Sequence, residues 1–138
     1  MKKTNKKGFT LIELLAVIAI IAIIGAIATP NVIKLITSSN QDQILSDTKL
    51  AISKAKYQFR KDMDTSPGGK SYKVNELIES DNSYNNNSIV QVELNEGKYI
   101  YKISISNGKY CIGWPSNYVS EETILTSGKG VISENCPN

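Results

Sequence analysis

Lys7-Gly8-Phe9-Thr10-Leu11-Ile12-Glu13-Leu14 opens an apolar run that continues to Ala28, and the reading of this stretch decides the fold. Lys2, Lys3, Lys6 and Lys7 stand before it; within it, only Thr10 and Glu13 interrupt the apolar residues. A helix of about 20 such residues spans a hydrocarbon core. Lysines that precede the span stay in the cytoplasm, so the positive-inside rule puts everything after Pro30 on the outer face. The expectation is a single-pass protein of the cytoplasmic membrane with its C-terminus outside.

Glu13 needs a reason to be there. A carboxylate inside a membrane helix costs about 2.5–3.5 kcal/mol on insertion scales, so it requires a partner or a route to water. If the chain is cut between Gly8 and Phe9, a new ammonium group at Phe9 lies one helical turn away. From the same chain, or better from an adjacent one, it would neutralise the carboxylate and set the axial register of neighbouring helices. The plainer alternative lets Glu13 snorkel to the headgroups. Ala26-Ile27-Ala28 raises a separate rival, since an A-x-A pattern after an apolar stretch is also how a secretory signal ends; that cut would release a soluble chain starting at Thr29. The charge inside the run, its length and the helical pattern beyond the cut all argue against this.

Lys7 to Leu14, followed by the apolar run, resembles the processing and methylation signature of type IV prepilins and the related pseudopilins. The resemblance covers about the first thirty residues. It implies that a membrane-bound prepilin peptidase cuts after Gly8 and methylates Phe9, and that Glu13 acts in subunit docking. The implied partners are further copies of the chain in a homopolymeric helical filament, the peptidase, the pilus assembly machinery in the membrane, and host or surface ligands. The implied product is an extracellular type IV pilus on the cell surface, used for adhesion, motility or biofilm formation. A pseudopilin of a type II secretion or competence DNA-uptake machine is the alternative, and a membrane-tethered binding domain the third reading.

Working outward, Gly25 and Pro30 mark a kink or loosened stretch in a helix that otherwise continues. In pilins that resemble this chain, such a stretch loosens when subunits enter the fibre. Beyond it Ile33, Ile36, Ile44, Thr48, Ala51, Ile52, Ala55, Phe59 and Met63 recur mostly at spacings of three and four, which predicts an amphipathic helix over 31–65. Ser66-Pro67-Gly68-Gly69 stops it. A helix from Phe9 to about Asp64 would be roughly 80 Å long, so its first half is expected to project as a stalk.

A polar connector over 66–88 follows, with a short helix at Val74 to Glu79 and the low-complexity run Asp81-Asn82-Ser83-Tyr84-Asn85-Asn86-Asn87-Ser88 read as a solvated link. Strands are predicted at Ile89–Leu94, Lys98–Ile105 and Lys109–Trp114, forming two hairpins and an antiparallel sheet over 89–114. Tyr99, Tyr101, Ile103 and Ile105 share one strand face, expected to lie on the C-terminal half of the long helix. In the tail, Thr123–Leu125 and Val131–Ile132 read as short strands. The organisation is thus a basic leader at 1–8, a membrane and filament-core helix at 9–30, and an exported head at 31–138. The fold class is α+β and pilin-like.

Composition narrows the function further. The chain has 138 residues, room for one small domain. Its net charge of +3 comes from the leader: without those four lysines, the 16 basic groups fall one short of the 13 acidic ones. No basic patch suited to nucleic acid is evident. With no histidine and no P-loop or dinucleotide fingerprint, no catalytic residue, metal or cofactor is expected. Glu121-Glu122 and Asp62/Asp64 read as solvated charge. Cys111 and Cys136 read as one disulfide in an oxidising space, bounding a C-terminal region at 111–136. Such a closure is worth roughly 3 kcal/mol in the chain-entropy model. Two free thiols are the alternative, and two thiolates without histidine do not fill a zinc shell. Trp114 and Tyr118 are either adhesive contacts or a cover for the sheet edge.

Overall fold

Between Leu11 and Asp62 the only strong helix breakers are Gly25 and Pro30, and a single helix, α1, runs through both to span Leu11–Asp62. The computed structural model describes residues 8–62, 69–79 and 84–136. Met63, Asp64, the stop at Ser66-Pro67-Gly68 and the low-complexity residues 81–83 therefore lie outside the described residues. So do the leader lysines. The chain divides into two units, Met1–Ser38 and Ser39–Asn138, and α1 contributes to both.

In the first unit every described position from Gly8 to Ile36 is exposed. Ile33 and Ile36, expected on the buried stripe, are 58% and 53% exposed. The stripe begins only at Ile44, because the sheet that covers it belongs entirely to the second unit. There Ile44, Thr48, Ala51, Ile52, Ala55 and Phe59 are buried at helical spacing.

The second unit packs this stripe against a six-stranded sheet. After α1 come β1 (Lys70–Lys73), a single helical turn α2 (Val74–Leu77), β2 (Ile89–Asn95), β3 (Lys98–Ser106) and β4 (Tyr110–Ile112). β5 (Val119–Ser120), α3 (Glu121–Ser127), a 3₁₀ turn at Gly128–Val131 and β6 (Ile132–Glu134) complete the chain. The order across the sheet is β1-β2-β3-β4-β6, with β5 also pairing β3, and every pairing is antiparallel. Val90, Val92, Ile103, Ile105 and Ile112 meet the helix stripe in one core with Tyr110 and Ile124.

The β2–β3 hairpin closes through Glu96 at φ 49° and Gly97 at φ 77°, the two positive φ values that match the right-handed strand twist. β4 stops short of the predicted Trp114 because Gly113 turns the chain at φ 63° under the backbone of Ile103 and Asn117.

Four predictions are corrected here. Lys70–Lys73, placed in the connector, is a strand whose partner β2 lies far along the sequence. The helix expected over Val74–Glu79 closes one turn only, Val74–Leu77. The connector's end is not a solvated link: Tyr84 is buried and donates to Asp47 Oδ2 at 2.6 Å, which pins the chain to α1. Thr123–Leu125 is helical, inside α3. Its β-branched residues suggested a strand, but Ser120 accepts a hydrogen bond from the Thr123 N–H and starts a helix with Glu121 and Glu122 in its first turn.

Candidate functional site

The chemistry-bearing residues of the first unit sit at the start of α1. Gly8, Phe9 and Thr10 precede the helix, and Phe9 is 86% exposed. Thr10 and Glu13 then close a reciprocal cap. The Thr10 N–H and the Thr10 Oγ1 hydroxyl each donate to Glu13 Oε2 at 2.8 Å, and the Glu13 N–H donates back to Thr10 Oγ1 at 3.3 Å. This is a capping box of the T-x-x-E kind, which satisfies donors that the first helical turn otherwise leaves orphaned. The carboxylate also sits at the positive end of the helix dipole. Glu13 therefore has a partner in its own chain, in addition to the two explanations drawn from its position alone. Because Thr10 takes up Oε2, Oε1 stays without a partner among the described residues.

Gly25 and Pro30 lie further along the same apolar surface, within the helix. Pro30 has no N–H to offer the Ala26 carbonyl, so the ladder lacks one bond there. Thr29 Oγ1 donates to the Gly25 carbonyl at 2.6 Å, and Asn31 Nδ2 to the Ile27 carbonyl at 3.5 Å, so polar side chains bond carbonyls on either side of the gap. A Cβ at Gly25 would meet no atom within 4 Å, so nothing inside this chain requires a glycine there. Among the described residues the same holds at Gly8.

In the second unit Cys111 on β4 and Cys136 after β6 form a disulfide. It fastens the tail to the sheet next to a short pairing, Tyr110↔Glu134 to Ile112↔Ile132. Trp114 is nearly buried, whereas Tyr118 is 38% exposed, so of the two only Trp114 serves chiefly as cover. The far end of the α1 stripe is tied down by charge: Lys70 Nζ donates to Asp62 Oδ2 at 2.8 Å, and this hydrogen bond, first among its causes, holds the Asp62 carboxyl below the usual carboxylate range. No group of His, Cys, Asp or Glu side chains among the described residues is arranged to hold a metal ion.

Thr10 is the functional candidate that the sequence reading passed over. Its signal was present, since Thr-x-x-Glu immediately before an apolar run is an N-terminus signature.

The start of α1 is long and apolar enough to cross a membrane by length and composition. Residues 3–29 match the family model described as the prokaryotic N-terminal methylation motif, the type IV prepilin-like signal. No curated protein and no solved structure matches the chain.

Proposed function

We propose that this chain is a pilin, inserted in the membrane through the first part of α1 and then polymerised through the same segment into a surface filament. The observation that carries the reading is the uncovered apolar surface from Leu11 to Ala28, interrupted only by the Glu13 carboxylate and overlapping a methylation motif at residues 3–29. Apolar area of this extent, at about 25 cal/mol per Å², needs lipid or other copies of itself as cover.

Cleavage between Gly8 and Phe9 would leave an ammonium group at Phe9 beside a carboxylate whose Oε1 is open. Thr10 holds that carboxylate in one rotamer, so the site that accepts the amine of a neighbouring subunit is preformed. Loosening at Gly25 and Pro30 would let the helix adjust as it leaves the bilayer. Since neither Gly8 nor Gly25 is crowded inside the chain, the demand for glycine at position 8 would come from the peptidase, where a Cβ crowds the scissile bond. The role is structural, and the chain is the substrate of an enzyme rather than a catalyst.

The test is the N-terminal mass of the mature chain purified from its producing cell. A species that begins at Phe9 and carries one added methyl group is expected; a start at Thr29 or at Met1 overturns the reading. Recovery of that species in sheared filaments marks a pilin. Retention of it in scarce, short, cell-bound assemblies marks a pseudopilin, a subunit class that carries the same motif.

A further inference from the structure

The turn between β3 and β4 holds Asn107-Gly108, the only Asn-Gly pair in the sequence. The Asn107 N–H donates to the Tyr110 carbonyl at 3.1 Å and closes the turn, and Gly108 takes a φ of 86°. Asn107 Oδ1 accepts from the Lys109 N–H at 3.1 Å and from the Tyr110 N–H at 2.8 Å, so the side chain is folded back over its own backbone. Its Nδ2 makes no hydrogen bond to any described residue. The Gly108 N–H donates to Ser106 Oγ at 3.1 Å, and the Ser106 hydroxyl proton goes to no described group. Ser106 is buried, whereas Gly108 and Lys109 are exposed, and a Cβ at Gly108 would meet no atom within 4 Å.

A turn-forming asparagine needs one backbone N–H on its side-chain oxygen. Here there are two, the nitrogen of the side-chain amide is free to leave, and the proton of the next backbone nitrogen is already on a hydroxyl. These are the parts of an intramolecular acyl transfer. We propose that this turn converts Asn107 to aspartate and isoaspartate without an enzyme, through a cyclic imide formed with Gly108.

The Gly108 nitrogen attacks Asn107 Cγ with the face of its peptide plane, so a proton held in that plane by Ser106 does not obstruct the approach. That proton passes to Ser106 Oγ as the hydroxyl gives its own to hydroxide from solvent. Negative charge develops on Oδ1, where the Lys109 and Tyr110 N–H groups already point. The bond from Cγ to the Gly108 nitrogen forms, the Cγ–Nδ2 bond breaks, and Nδ2 leaves as ammonia with a proton from water. Water then opens the imide. Addition at Cγ restores the ordinary chain with an aspartate; addition at the Asn107 backbone carbonyl carbon leaves a chain that runs through Cβ and Cγ. One water is consumed, one ammonia is released, and nothing is oxidised or reduced. The aspartate accepts the same two N–H bonds with charge assistance and so keeps the turn. Isoaspartate lengthens the backbone beside the Ser106↔Cys111 pair. The inference is independent of polymerisation and of the cut at Phe9.

The test incubates the full chain in neutral detergent, near neutral pH and at physiological temperature, beside a synthetic peptide of Ser104 to Tyr110. Peptide mapping follows each asparagine, and enzymatic methyl transfer counts isoaspartate. Asn107 is expected to react ahead of every other asparagine and at least as fast as in the peptide. The rate should rise about tenfold per pH unit, as loss of the amide proton before attack requires. Ser106→Ala, with a melt that shows the head still folded, should slow the reaction about tenfold by removing the proton's acceptor. Asn107→Gln should abolish the signal. Three results overturn the proposal: an Asn107 that stays intact, a folded chain that reacts more slowly than the peptide, or a folded Ser106→Ala chain that reacts at the unmodified rate.

Discussion

The two halves of α1 share one backbone ladder and differ in what their side chains meet. From Leu14 to Ala28 the helix is apolar on every side, and Ile18, Ile20, Ile21 and Ile24 are each 58–62% exposed. After Ser38, residues at helical spacing from Ile44 to Phe59 are buried while Leu50, Tyr57, Lys49, Lys54 and Lys61 face outward. A helix apolar all round has no inward side, so its cover must come from outside the chain; a helix with one apolar stripe finds cover in its own sheet. The lesson is that the same residue type, isoleucine, stabilises the fold in one half and only partitions the chain in the other.

The sharpest way to break this contrast is to truncate matched isoleucines. Ile52→Ala should destabilise the second unit by about 2–5 kcal/mol in a thermal or denaturant melt of the detergent-solubilised chain, whereas Ile20→Ala should leave that melt unchanged. Equal effects would mean that the two halves are not energetically separate. Next in size is the double change Cys111→Ser with Cys136→Ser, expected to lower stability by about 3 kcal/mol in the same melt. It should leave membrane partitioning of the first half untouched.

Glycines give a smaller version of the comparison. Gly25→Ala meets open space in a helix and should raise helicity, by about 1 kcal/mol in helix stability, read by circular dichroism. Gly113→Ala, at φ 63° with its Cβ 2.5 Å from the Asn117 carbonyl oxygen, should instead lower the melting temperature of the head. The smallest effect is acid sensitivity. Asp62 releases its proton more readily when folded than when unfolded, so its pairing with Lys70 is fully present above the ordinary carboxylate value of 3.8 and fades as pH falls through the lowered folded value. Asp62→Asn should flatten that part of the melting-temperature profile below about pH 4, and an unchanged profile would remove Asp62 from the acid response.

Legibility in the sequence followed the same division. Helix α1 was readable because its first half is defined by length and lack of charge, and its second by a period of 3.6. The stripe's starting point was not, because Ile33 and Ile36 continue the pattern beyond the unit that holds the sheet. The β2–β3 hairpin was readable from Asn95-Glu96-Gly97, a local turn signal. Strand β1 was missed since Lys70-Ser71-Tyr72-Lys73 is polar and becomes a strand only through its distant pairing with Ile89–Val92. In α3 two local signals conflicted: Thr123 and Ile124 favoured a strand, while the cap at Ser120 and the acidic first turn favoured the helix that forms. At the candidate site, Gly8, Phe9 and Glu13 stood out by their offsets. The part played by Thr10 emerged only from the hydrogen bonds it makes.

The cap formed by Thr10 and Glu13 also fixes where helical structure begins. Because the ladder starts at Leu11, the Gly8–Phe9 peptide bond is left in non-helical backbone that an enzyme can draw into its cleft without first unwinding a turn. Loss of the residues before Phe9 removes nothing that the cap depends on. The rod that exists before such a cut is, residue for residue, the rod that remains after it.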